Sequence, residues 1–138
     1  DRVINYHKED FAAVLATEGV DVILDMVGGD YVAKNLSILR PDGRLVFING
    51  MAGAKADFNI HQVMTRRLTI TGSTLRSRDK TFKADLAAAV EANVWPLVAS
   101  GKCRPNITRA FPYTDAAAAH RWLESGEHTG KILLNFTA

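Results

Sequence analysis

The chain has 138 residues, of which 47% are hydrophobic and 23% charged, ordinary values for one globular domain with a sizeable core. Its 17 basic and 15 acidic side chains leave a net charge of +2 spread along the chain, so nothing marks a nucleic-acid or anionic-membrane surface. A single cysteine, Cys103, excludes an internal disulfide, and no apolar stretch reaches the ~18–20 residues that span a bilayer; a cytoplasmic protein is expected.

Strands and helices are predicted to alternate. Arg2 to Asn5 reads as a short strand, and Lys8 to Thr17 as a helix with Phe11, Val14 and Leu15 on one face, ended by Gly19. Val20 to Met26 is apolar on both faces apart from Asp21, as a central parallel strand should be. Tyr31 to Leu39 follows as a helix with Val32, Leu36 and Leu39 inward, stopped by the turn Arg40-Pro41-Asp42-Gly43. Arg44 to Ile48 is the next strand. Asn59 to Arg66 is a short helix, Leu68 to Ser73 a β-branched strand, and Asp79 to Asn93 a long helix. Pro96 opens a further turn, Thr114 or Asp115 caps a last helix through Glu124, and Lys131 to Phe136 is a terminal strand. This rhythm gives an α/β fold with a parallel sheet.

In such a sheet, ligands bind beyond the carboxyl ends of the strands. The rule points to Tyr6, Asp25 to Gly29, Asn49 to Gly53, and Gly72 to Leu75. Any one glycine after a strand is more often a turn than a ligand contact. Three glycine sites at one sheet edge point instead to a groove, because glycine lets backbone approach a ligand without a Cβ between them. Asp25 is placed to orient backbone amides in its turn and has no visible partner as a general base. His7, His61, His120 and His128 lack metal-ligand spacing with each other or with Cys103. Ser73 and Thr74 lack the setting of an activated nucleophile. Cys103 lies between Gly101-Lys102 and Arg104-Pro105, and reads as a bystander loop thiol. Arg76-Ser77-Arg78 reads equally as a solvated loop or a phosphate contact.

Taken in order, Val3-Ile4-Asn5-Tyr6, Asp25-Met26-Val27-Gly28-Gly29, Gly43-Arg44-Leu45-Val46, Asn49-Gly50, Thr71-Gly72-Ser73-Thr74-Leu75-Arg76 and Ser125-Gly126-Glu127-His128-Thr129-Gly130-Lys131-Ile132 form an ordered set. The set resembles the C-terminal part of the NAD(P)H:quinone oxidoreductases, the zeta-crystallin-like, zinc-free branch of the medium-chain dehydrogenase/reductase superfamily. The resemblance implies a partial Rossmann fold, a doubly wound parallel sheet without its first strands and phosphate loop, over residues 1–110. Residues 111–138 would be a helix and strand returning to a GroES-like catalytic domain. It further implies NADPH as cofactor, hydride transfer to a quinone or other conjugated carbonyl, and a homodimer through the edge of strand 68–73. By position, Tyr6 matches the residue near the adenosine ribose and its 2′-phosphate. Gly28, Gly29 and Tyr31 match contacts along the cofactor. Ile48, Asn49, Gly50 and Met51, with Ser73, Thr74 and Leu75, match segments flanking the nicotinamide. No catalytic acid, base or metal ligand is assigned. The sequence thus reads as the back half of an enzyme, and without the helix N-terminus that holds the pyrophosphate, tight NADPH binding by this stretch alone should fail. A non-catalytic association module and an enoyl-reductase segment of a larger synthase are the alternatives.

Overall fold

The computed structural model describes residues 2–136. Two compact units succeed one another, Asp1–Arg78 and Asp79–Ala138. Ala110 and Phe111, where the resemblance divides the chain, are neighbours within one strand of the second unit.

The first unit contains α1 (Phe11–Leu15), β1 (Val20–Asp25), α2 (Tyr31–Ile38), β2 (Leu39–Phe47), α3 (Ile60–Arg66) and β3 (Thr69–Gly72). Its strands form one parallel sheet in the order β1-β2-β3. The core lies where α2 and the residue before β3 meet the sheet: Val32, Leu36, Leu39, Leu45 and Leu68 are buried, with Val20, Ile23, Phe47, Val63 and Ile70 packed against them. Helix starts follow the sequence. Asp10 caps α1 by accepting from the Ala12 amide, and Asn59 caps α3 by accepting from the His61 amide. Gly19, at φ +67°, donates to the Leu15 carbonyl and ends the first helical segment.

Two expectations change here. Residues 2–5 form no strand, and Val3 is 93% exposed. A strand exists through its ladder of partners, and β1 pairs on one side only, with β2. The turn expected at Arg40 to Gly43 is instead the first half of β2, which begins at Leu39 and pairs there with Val20. The Pro-Asp-Gly signal is expressed as an irregularity within the strand: Asp42 takes φ +65°, and the register shifts between Val20 and Val22.

The second unit contains α4 (Lys80–Asn93), α5 (Trp95–Ala99), β4 (Ile107–Pro112), a single 3-10 turn at Tyr113–Asp115, α6 (Ala116–Glu124) and β5 (Lys131–Asn135). Asp79 caps α4 through the Phe82 amide, and Pro96 sits in the first turn of α5 as expected. Asp115 is at the N-cap of α6, but its side chain makes no capping bond. Strand β4 was not anticipated; it pairs in parallel with β5. Among the described residues of this unit, Phe111 of β4 and Ala119 of α6 are buried, and the Arg109 guanidinium lies over the rings of Phe111 and Trp122, at 4.5 and 5.3 Å from their centroids.

Candidate functional site: the carboxyl edge of the parallel sheet

The strand ends of the first unit lie side by side. Asp25 is in register with Phe47, and Phe47 with Gly72. The loops leaving β1 and β2 are therefore born next to each other, and they are stitched together by backbone. The amide of Ile48 donates to the Asp25 carbonyl at 2.8 Å, Met51 to Met26 at 3.2 Å, and Ala52 to Val27 at 2.8 Å. In return the Gly29 amide donates to the Gly53 carbonyl at 3.2 Å.

This stitching explains the glycines better than ligand approach alone. Gly28 has φ +68° and Gly29 φ +53°, and a Cβ on Gly28 would stand 2.8 Å from the Gly53 carbonyl oxygen and 3.1 Å from Gly50 Cα. Gly28 is thus required by the contact of one loop with the other, while a Cβ on Gly50 would stand 3.0 Å from the Gly53 carbonyl oxygen of its own loop. Gly72, by contrast, has an ordinary backbone, and a Cβ there would meet only ordinary contacts.

The joined loops border a cavity of about 380 Å³ lined by Gly28, Gly29, Asn49, Gly50 and Gly53. Its apolar wall comes from Val32 of α2, Phe47 of β2 and Phe58. Asn49 accepts from the Gly50 amide at 2.8 Å, which fixes the first bend of the loop. A second concavity of about 260 Å³ contains Tyr6, Tyr31, His7, Lys8 and Lys34. Lys34 is 3.2 Å from Asp10, and this ammonium, with the Ala12 amide, holds the Asp10 carboxyl below the usual carboxylate range. The turn from Gly28 to Tyr31 separates the two hollows, the Tyr31 amide donating to the Gly28 carbonyl at 3.1 Å.

The position of the turn is set by Asp25, buried at 4% exposure. Its Oδ1 accepts from the amides of Val27 at 2.7 Å and Gly28 at 3.1 Å, and its Oδ2 accepts from Asn35 Nδ2 at 3.0 Å. The amide-orienting role expected for Asp25 is present in this geometry.

Of the residues singled out from the sequence, Gly28, Gly29, Asn49 and Gly50 share the first cavity, and Tyr6 and Tyr31 the second. Ile48 and Met51 stand exposed at the same edge, and line neither hollow. Ser73, Thr74 and Leu75 continue from β3 and also line neither, although the Ser73 amide remains tied to the Phe47 carbonyl at 2.9 Å. Sequence reasoning missed Lys34, Asn35, Phe58 and Lys55, which lines the first cavity beside Phe58. Asn35 had a signal: it falls beside Val32 and Leu36 on the inward stripe of α2, where a polar residue needs a buried partner. Lys55 and Phe58 lie in an aperiodic loop that gives no such cue.

The chain matches the family described as zinc-binding dehydrogenase over residues 1–134. It is similar to the quinone oxidoreductase of Sus scrofa, at 31% identity over 134 residues, which are 96% of this chain and 39% of that protein. It is also 31% identical over 120 residues to the highly reducing polyketide synthase cm3B of Cordyceps militaris, covering 84% of this chain and 5% of that protein. Among solved structures, that of a 2-haloacrylate reductase superposes with a TM-score of 0.68 at 28% identity, over 96% of this chain and 43% of the other. The chain spans about two fifths of the length of the reductases it matches. The family's name includes zinc, yet among the described residues no three His, Cys, Asp or Glu side chains are grouped to hold a metal. No helix among the described residues is long and apolar enough to cross a membrane. The ordered sheet edge, the match across nearly the whole chain and the shared fold agree: the chain belongs to the zinc-binding dehydrogenase family.

Proposed function

We propose that this chain forms part of the cofactor site of a zinc-independent, cytoplasmic NADPH-dependent oxidoreductase acting on a quinone or another conjugated carbonyl. The observation that carries the reading is the pair of stitched glycine loops at one sheet edge, bordering an apolar cavity on one side and a tyrosine- and lysine-bearing hollow on the other. The residues fit the two ends of a dinucleotide. Phe47, Val32 and Phe58 offer an apolar wall for a flat ring, while Tyr6 and Tyr31 offer ring faces for a nucleoside and Lys8 a cation for its phosphate, in a hollow that Glu9 and the Lys34–Asp10 pair also line.

NADPH, when bound, supplies the hydride. The chain's own part is positional. Backbone amides pinned by Asp25 hold the first loop, that loop holds residues 50–53, and the aromatic wall excludes water from one side. Ile48, Met51, Ser73, Thr74 and Leu75 would flank the reacting ring at the same edge. None of these residues moves a proton in this reading. The edge of β3 would pair with its copy in a homodimer.

NADPH titration tests the reading in two polypeptides. One is the 138-residue chain; the other carries, ahead of it, the part of the Sus scrofa quinone oxidoreductase that precedes the matched region. Weak binding by the chain and micromolar binding with quinone reduction by the longer polypeptide are expected. Comparable micromolar binding by both would show that a separate pyrophosphate loop is unnecessary, and an inert longer polypeptide would remove the functional reading. The similarity to a polyketide synthase motivates a second acceptor class, enoyl thioesters, and screening these against quinones separates the two.

A further inference from the structure

Two polar side chains of the first unit are buried against each other behind the cleft rather than in it. Asp25 ends β1 and Asn35 lies in α2, and each is 4% exposed. With Phe11 and Tyr31 they line a separate hollow of about 220 Å³. Asn35 Nδ2 donates to Asp25 Oδ2 at 3.0 Å, while Asp25 Oδ1 takes the amides of Val27 and Gly28. From that turn the connections continue into the second loop, through Ala52 donating to the Val27 carbonyl and Gly29 donating to the Gly53 carbonyl.

We propose that Asn35 is a positioning residue for the cleft, acting through Asp25 to fix the Gly28–Gly29 turn and, through that turn, the loop 50–53. What the cleft binds rests on the cofactor reading above; the linkage itself does not. A buried carboxylate must have donors on both oxygens or turn toward water. The turn supplies donors for Oδ1 only, so without Asn35 the carboxylate has reason to rotate, and rotation releases the turn amides. A neutral amide is the side chain that suits this position, since leucine has no donor and an acid would set two carboxylates against each other.

Amide hydrogen exchange followed by NMR tests the proposal in the 138-residue chain. The forms compared are wild type, Asn35→Leu, Asn35→Asp, and the double variant Asp25→Asn with Asn35→Asp. Both single variants are expected to speed exchange at Val27, Gly28 and Ala52 by about tenfold or more, with Leu45 and Val46 in the core strand changed far less. The double variant should recover protection, because a carboxamide at position 25 accepts the turn amides with its oxygen and donates to the new carboxylate with its nitrogen. A role in core packing alone would loosen β2 equally in Asn35→Leu and gain nothing from the exchange of partners; either result overturns the proposal, as does unchanged protection in Asn35→Leu. NADPH added at millimolar concentration should shift the amides of Gly28, Gly29, Asn49 and Gly50, less in the single variants than in wild type or the double variant. Protection that follows the expected pattern without any NADPH-dependent shift keeps the positioning role, and the cofactor reading is then decided by NADPH titration of the longer polypeptide.

Discussion

Single residues at the sheet edge differ in how much each position can tolerate, and the glycines show it. A side chain at Gly28 must adopt φ +68° and meet the Gly53 carbonyl at 2.8 Å, whereas Gly126 has a similar φ of +72° and nothing within 4 Å. Gly126→Ala should therefore cost only the left-handed strain, about 1–2 kcal/mol. Gly28→Ala adds displacement of a backbone loop and should cost about 2–4 kcal/mol. Urea denaturation of the two variants measures the difference, and equal losses would mean that the loops are not packed as described. Charge at single residues gives a second expectation. Arg67, through Nε and Nη2 both at 2.8 Å, holds the carboxyl of Asp42 below its usual range, as Lys34 does for Asp10. A carboxyl with a lowered folded-state pKa contributes stability above its unfolded value, near ~4. That contribution is lost as pH falls through the folded value. Both groups are fully exposed, so the effect should be small and screened by salt. Thermal denaturation between neutral pH and about pH 2–3 should show a smaller acid-dependent loss in Asp42→Asn than in wild type, and the difference should shrink in high salt.

At the scale of elements, helix starts and strand interiors were legible because they depend on local chemistry. Asn59 and Asp79 each cap a helix expected to start there, and the apolar run Val20 to Leu24 became β1, whereas the helix expected over Lys8 to Thr17 is confined to Phe11–Leu15 behind its Asp10 cap. The clustered glycines at the ends of β1 and β2 were legible as lying at one sheet edge, though not as a contact between loops. That contact depends on register, and register is decided by the whole sheet. Residues 2–5 failed as a strand for want of a partner, and β4 went unseen because Ile107 to Pro112 carries Arg109 and a terminal proline where an apolar run would be sought. The roles of Arg66 and Arg67 are hidden from the sequence for the same reason, since their partners are distant along the chain. Arg67 meets Asp42, and Arg66 Nη1 donates to the carbonyls of Leu36, Ser37 and Leu39 at 3.3, 3.0 and 3.0 Å. It thereby satisfies the C-terminal end of α2, whose last carbonyls have no partner within the helix. Arg66→Met keeps the aliphatic stem and removes the donors, and should cost about 1–3 kcal/mol. Denaturant unfolding checks the magnitude; a variant as stable as wild type would mean that water serves these carbonyls equally well.

Across the molecule, the consequence of this architecture is a sheet with two open edges. Among the described residues β1 and β3 each pair only with β2, and Val22 and Leu24 on β1 are 64% and 66% exposed. An unpaired parallel edge bearing apolar side chains offers backbone and surface together, which is how strands recruit further strands. Family membership gives this a direction, since the chain spans only about two fifths of the reductases it matches, and the β1 edge is where further sheet could be added. The β3 edge is the one proposed for pairing between copies. These edges should behave differently. Sedimentation velocity across a micromolar-to-millimolar series is expected to show a discrete dimer together with larger species. Leu24→Lys should suppress the larger species by placing a charge beside the β1 edge, and leave the dimer in place. A wild-type chain that remains monomeric across the series would remove both associations. Loss of the dimer together with the larger species in Leu24→Lys would assign pairing between copies to β1 instead of β3.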